Sequence, residues 1–139
     1  MKITFLYLCL ILFILTALTC KAQKTDSAGI AGIWKGTSLC QVKNSPCHDE
    51  TVVYYFTKKV NEENKYSLQA NKVVNRKVED MGILEFLYDK ARQTLTCNMT
   101  SRQGRTGVWL FNIDGNKIHG TLTVEDNVLY RLIEVQKSK

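Results

Sequence analysis

From Gly32 to the C-terminus the chain never sustains a helical repeat. Apolar residues alternate in short runs, and turn signals recur every 8–12 residues. That pattern restricts the chain to strands packed as a sandwich or a barrel. Eight strands are expected, at about 32–42, 51–60, 65–74, 82–88, 93–100, 106–113, 117–124 and 128–136. The connections are short and polar. Lys43-Asn44-Ser45-Pro46 holds the only proline, and Asp114-Gly115-Asn116 contains a strong hairpin signal. Residues 75–80 are polar and charged, and read as a loop or a single helical turn.

Short connections make sequential strands antiparallel neighbours. An open eight-strand meander would leave two exposed edges, whereas closure removes them. The expected fold is therefore all-β, an eight-stranded antiparallel up-and-down barrel. A Greek-key β-sandwich is the alternative. Alternation also sorts side chains by face. Trp34, Gly36, Ser38 and Cys40 share one side of the first strand, and Leu84, Phe86 and Tyr88 one side of the fourth. On the fifth strand Leu95, Cys97 and Met99 oppose Thr94, Thr96, Asn98 and Thr100, the clearest inside/outside division in the chain. Leu129, Arg131, Ile133 and Val135 share a face of the last strand.

The N-terminus has a different composition. Met1-Lys2 precedes an almost unbroken apolar run from Ile3 to Leu18, and Cys20-Lys21-Ala22 puts small residues at −3 and −1 before Gln23. This is the three-part pattern of a secretory signal peptide, 1–22, and the run is slightly short for a membrane span. The competing readings are a membrane anchor and bacterial lipid attachment at Cys20. After cleavage, residues 23–31 form a flexible lead-in and 32–137 a single barrel domain, with no integral membrane span. The expected location is secreted or periplasmic. Removing Lys2 and Lys21 leaves 17 bases against 13 acids, a charge of +4. The bases are scattered, which argues against a nucleic acid partner.

Export places Cys40, Cys47 and Cys97 in an oxidising space, where one bridge is possible and one thiol is left over. Cys40 and Cys47 flank the first turn and could pin it. The rival is a bridge from Cys97 to either, against Cys97 as a buried free thiol.

Gly32-Ile33-Trp34 on the first strand and Arg131 on the last together resemble the lipocalin/calycin pattern. The resemblance implies that Arg131 packs over the Trp34 indole and closes one end of the barrel, so both are structural residues. The domain's size is similar to that of the avidin-like barrels, but no biotin-contacting set is present. A bacterial metalloprotease inhibitor family also resembles this arrangement, with a small eight-strand barrel, a similar Trp and one disulfide.

Few motifs carry chemistry. Cys47-His48-Asp49-Glu50 is the densest reactive cluster, but adjacent residues on an extended chain point opposite ways, and a nucleophile needs its base within reach. No tight His or Cys spacing supports a metal site, with or without His119. Asn98-Met99-Thr100 fits a glycosylation sequon. No cofactor and no enzymatic activity are expected. The expected function is binding of a small apolar or amphipathic ligand inside the barrel, against Tyr54, Phe56, Leu84, Phe86, Tyr88, Leu95, Met99 and Trp109. The alternative partner is a protein, such as a secreted hydrolase held by the Cys40–Cys47 loop.

Overall fold

The alternation resolves into eight strands in a computed structural model that describes residues 28–125 and 127–139. The expected leader 1–22 with Cys20, and the start of the lead-in, 23–27, lie outside the described residues. The strands are β1 (Gly32–Cys40), β2 (Glu50–Lys58), β3 (Lys65–Val74), β4 (Lys77–Asp89), β5 (Thr94–Thr100), β6 (Thr106–Asp114), β7 (Lys117–Val124) and β8 (Val128–Lys137). Each pairs antiparallel with the next, and β1 pairs with both β2 and β8, closing the barrel. The Greek-key sandwich is not adopted, because β8 returns to β1 and leaves no second sheet to form. Among the described residues no helix is long and apolar enough to cross a membrane.

The largest departure from expectation is at residues 75–80. They are neither loop nor helical turn. Asn75 and Arg76 make a two-residue turn with φ of 51° and 63°, and β4 starts at Lys77. Positive φ at both central residues is the type I′ geometry, which matches strand twist. Asparagine tolerates it; the arginine carries some strain. The β3–β4 register shifts between Ala70 and Asn71, so Met81 has no partner on β3. Gly82 beside it has a φ of 108°. A bulge of this kind bends its strand and sharpens the local twist.

Inside, Phe86 and Phe111 stack at 5.0 Å between ring centroids, and Phe56 meets them edge-on at 5.9 and 6.3 Å. Such pairs add to simple burial. With Leu95 they fill the waist of the barrel, all nearly or fully buried. Room for the Phe111 ring is made by Gly120 opposite it on β7, where a Cβ would sit 2.4 Å from the ring.

One end is partly covered by the chain's own entry. Ile30 belongs to the stretch read as flexible, yet it is fully buried. Its carbonyl accepts a 2.8 Å hydrogen bond from the Trp34 indole nitrogen. The cation over that indole is Lys137, whose Nζ lies 5.6 Å from the ring centre and donates to the Gly29 carbonyl. Arg131 does not reach Trp34, which corrects the role implied by resemblance. The cause is register: Trp34 faces Lys137 across β1–β8, and Arg131 faces Cys40, at the other end of both strands.

Cys40 and Cys47 are joined by a disulfide with Cα atoms 5.8 Å apart. Closing so short a loop contributes roughly 2–3 kcal/mol in the chain-entropy picture. Cys97 is free and buried, and its thiol is pushed up in pKa, chiefly by burial. A raised value leaves the folded thiol protonated while the unfolded one ionises, so its effect on stability turns unfavourable as pH rises through the ordinary thiol range. Native Cys97 is expected to react with an aromatic disulfide reagent at pH 8 at least tenfold more slowly than in denaturant. Equal rates, read by absorbance, would show that the site opens freely.

Candidate functional site

Two cavities lie at opposite ends of the barrel and share no lining residue; Phe56, Phe86 and Phe111 line neither. One, of about 400 Å³, sits among the β2–β3, β4–β5 and β6–β7 turns. Its lining includes Lys58, Glu63, Asn64, Lys90 and Gln93, and it is largely polar. The other, of about 240 Å³, is a cup at the end that carries the disulfide loop. Strand alternation gives it apolar sides, with Leu68 and Ala70 from β3, Leu84 from β4, Met99 from β5 and Trp109 from β6.

The cup's polar edge comes from three inward positions at strand ends: Ser38 on β1, Glu50 on β2 and Arg131 on β8. Arg131 and Glu50 form a 3.3 Å ion pair, with side chains only 13% and 12% exposed. The same guanidinium nitrogen donates to the Ser38 carbonyl and hydroxyl, each at 3.3 Å, and to the His48 carbonyl at 3.2 Å. A half-buried ion pair needs such extra partners to offset lost hydration. The Glu50 carboxylate also lies 3.9 Å from the Lys72 ammonium, which lies 3.9 Å from Glu79. The result is a line of alternating charge along the rim from β8 through β2 and β3 to β4. Tyr54 sits beneath it, 1% exposed. Burial drives its hydroxyl pKa far above the usual tyrosine range, with Arg131 pulling it down and Glu50 pushing it up. Tyr54 is thus a neutral hydroxyl at any physiological pH. On the cup's side, the Trp109 indole nitrogen lies 3.1 Å from the Met99 sulfur, to which it donates.

The residues expected to contact ligand divide into three groups. Tyr54, Leu84, Met99 and Trp109 line the cup together. Phe56, Phe86 and Leu95 belong to the packed waist. Tyr88 faces the opposite cavity. Sequence reasoning passed over Glu50, which it placed in the polar Cys47–Glu50 cluster. It gave Arg131 a structural role at the wrong end. A signal for both existed: each is a charged residue in register with inward apolar positions, Glu50 with Val52 and Arg131 with Ile133.

The reactive cluster is not assembled into a catalytic group. Cys47 is consumed by the disulfide, His48 is exposed and 4.0 Å from Glu50, and the Asp49 carboxylate accepts the Cys40 backbone N–H at 2.8 Å. His119 is exposed and paired with Glu134. Among the described residues no group of three or more His, Cys, Asp or Glu side chains is placed to hold a metal ion. Asn98 is exposed on the outer face of β5. No model of a known protein family matches the chain, and no curated protein matches it, so the chemistry of the cup is read from its own residues.

Proposed function

We propose that the protein is an exported carrier that binds a small amphipathic ligand in the cup at the disulfide-bearing end of the barrel. The observation that supports this reading is the cup itself. The waist of the barrel is filled by phenylalanines, yet the space above Tyr54 is left open, apolar on its sides and charged along one edge. Core positions normally fill such space to close packing. Pockets for small molecules combine apolar surfaces with a few placed polar groups, and this one does the same. Methylenes or an aromatic ring would lie against Leu68, Leu84 and Trp109. A polar head would meet Arg131, Glu50 and the neutral Tyr54 hydroxyl.

The test fills the cup. Ala70→Phe puts a ring into the open space from a position that is 6% exposed. The protein is expected to bind 1-anilinonaphthalene-8-sulfonate saturably, with the tryptophan emission quenched. Ala70→Phe is expected to weaken that binding at least tenfold, about the effect of losing two buried methylenes, with an unchanged far-ultraviolet spectrum. Absence of saturable binding to the unaltered protein would sink the reading. The Cys40–Cys47 loop, acting on a secreted hydrolase, would then be the surface to pursue.

A further inference from the structure

The barrel is closed unevenly. Seven of its eight strand pairs run in ladders of seven to ten residue pairs. Between β4 and β5 there are three: Leu87 with Thr96, Tyr88 with Leu95 and Asp89 with Thr94. Beyond Leu87, β4 continues to pair with β3, and beyond Thr96, β5 continues to pair with β6. The two strands therefore part toward the cup. The unpaired stretch of β4 contains the bulge at Met81 and Gly82, and bulges of this kind bend their strand.

We infer that this seam is a lateral slit, through which the apolar tail of an amphipathic ligand leaves the cup. The inference rests on the ligand reading above and adds to it the path and the length of the ligand. Three observations carry it. First, Leu84 and Met81 on β4 and Met99 on β5 lie where the two strands no longer pair and also line the cup, so the unpaired stretch borders the cup with apolar side chains. Two of the three are methionines, whose flexible thioethers adapt to a chain passing between them. Second, the axial rim over β8, β2, β3 and β4 carries Arg131, Glu50, Lys72 and Glu79, and a hydrocarbon leaving over that rim would strip water from those charges. Third, the outer face of β4 beside the slit carries Ile83 and Leu87, 64% and 56% exposed, on either side of Glu85, whose carboxylate is held by Lys59, so an emerging tail would find apolar surface at both positions.

Volume gives the same answer. A cup of about 240 Å³ is below the range of about 300–1,000 Å³ that encloses a drug-sized molecule. With the slit, the ligand's length is not limited by the cup. The class that fits is a single unbranched acyl chain with a compact polar head held at the Arg131–Glu50 edge.

The experiment is a chain-length series, hexanoate to hexadecanoate, titrated calorimetrically into the protein and into a variant carrying Ile83→Ser and Leu87→Ser. Both positions are exposed and outside the cup, so hexanoate binding is the internal control. Affinity is expected to keep rising through the series. The double variant is expected to bind hexadecanoate at least about tenfold more weakly, the cost of re-exposing a few methylenes, and hexanoate unchanged. An affinity that peaks at a short chain and then falls would overturn the slit and leave the cup reading intact. Long-chain affinity indifferent to the double variant would overturn it too. Binding of 1-anilinonaphthalene-8-sulfonate but of no fatty acid would retain the cup and reject an acyl tail. Binding of neither would reject both.

Discussion

Gly36→Ala is expected to cost the fold more than any other single-methyl addition in the chain. Gly36 lies mid-way along β1, between Val52 of β2 and Val135 of β8. A Cβ there would stand 1.9 Å from the Glu134 carbonyl oxygen and 2.8 Å from the Val135 Cα. Both obstacles are backbone, so no rotamer change relieves them; either β8 moves out or the β1–β8 closure breaks. Overpacking of a core costs typically about 1–3 kcal/mol where side chains can give way. With main chain in the path, the loss is expected at or above about 3 kcal/mol, and the midpoint of thermal unfolding should fall by roughly 10–20 °C. Gly120→Ala meets the Phe111 ring instead, at 2.4 Å, and a ring can tilt, so its loss should be smaller. Thr37→Ala, an exposed position on the same strand, serves as control and should change stability by no more than about 0.5 kcal/mol. If Gly36→Ala melts with Thr37→Ala, β8 does not pass over β1 as closely as described.

That close crossing was invisible in the sequence, although the closure it serves was not. Short turns and alternation sufficed for eight antiparallel strands, and edge protection for joining the last to the first. Leu95, Cys97 and Met99 show why the strands were legible: their face is apolar and the opposite face is threonine and asparagine. The β3–β4 hairpin was lost for the opposite reason. Lys77 to Met81 are exposed on both faces because the ribbon projects past the barrel, so no alternation marks them. Its turn, Asn75-Arg76, has no glycine to announce it.

Depth was the other missing dimension. Alternation says which face a side chain takes, but not how far along the barrel axis it sits. Phe86 and Leu84 share a face and differ by one strand repeat, yet one packs the waist and the other lines the cup. The same gap misplaced Arg131. Facing Trp34 required knowing the β1–β8 register, and the register puts Lys137 there. Arg131 lies instead at the opposite end of the barrel, paired with Glu50.

Glu50→Ala and Arg131→Met should therefore differ sharply from a double variant that removes both charges. Glu50→Ala leaves the Arg131 guanidinium, 13% exposed, with Ser38 and His48 oxygens but no carboxylate. Removing one partner of a buried pair typically costs about 3–5 kcal/mol, most of it from the stranded charge. Glu50 also faces Lys72, but that more exposed cation keeps Glu79 at 3.9 Å. Arg131→Met leaves Glu50 with Lys72 at 3.9 Å and His48 at 4.0 Å and should cost less. The double variant Glu50→Leu with Arg131→Met removes both charges and keeps the volume apolar, and is expected to lie within about 1–2 kcal/mol of the unaltered protein in denaturant unfolding. The cup would then keep only the Ser38 and Tyr54 hydroxyls as polar groups and lose its charged hold on a polar head. Long-chain fatty acids should bind it more weakly, while a neutral hydrocarbon such as dodecane should bind as well or better. A double variant that unfolds as readily as Glu50→Ala would mean that the pair holds β1, β2 and β8 in register. One that keeps full fatty-acid affinity would place the polar head elsewhere, and with it the site.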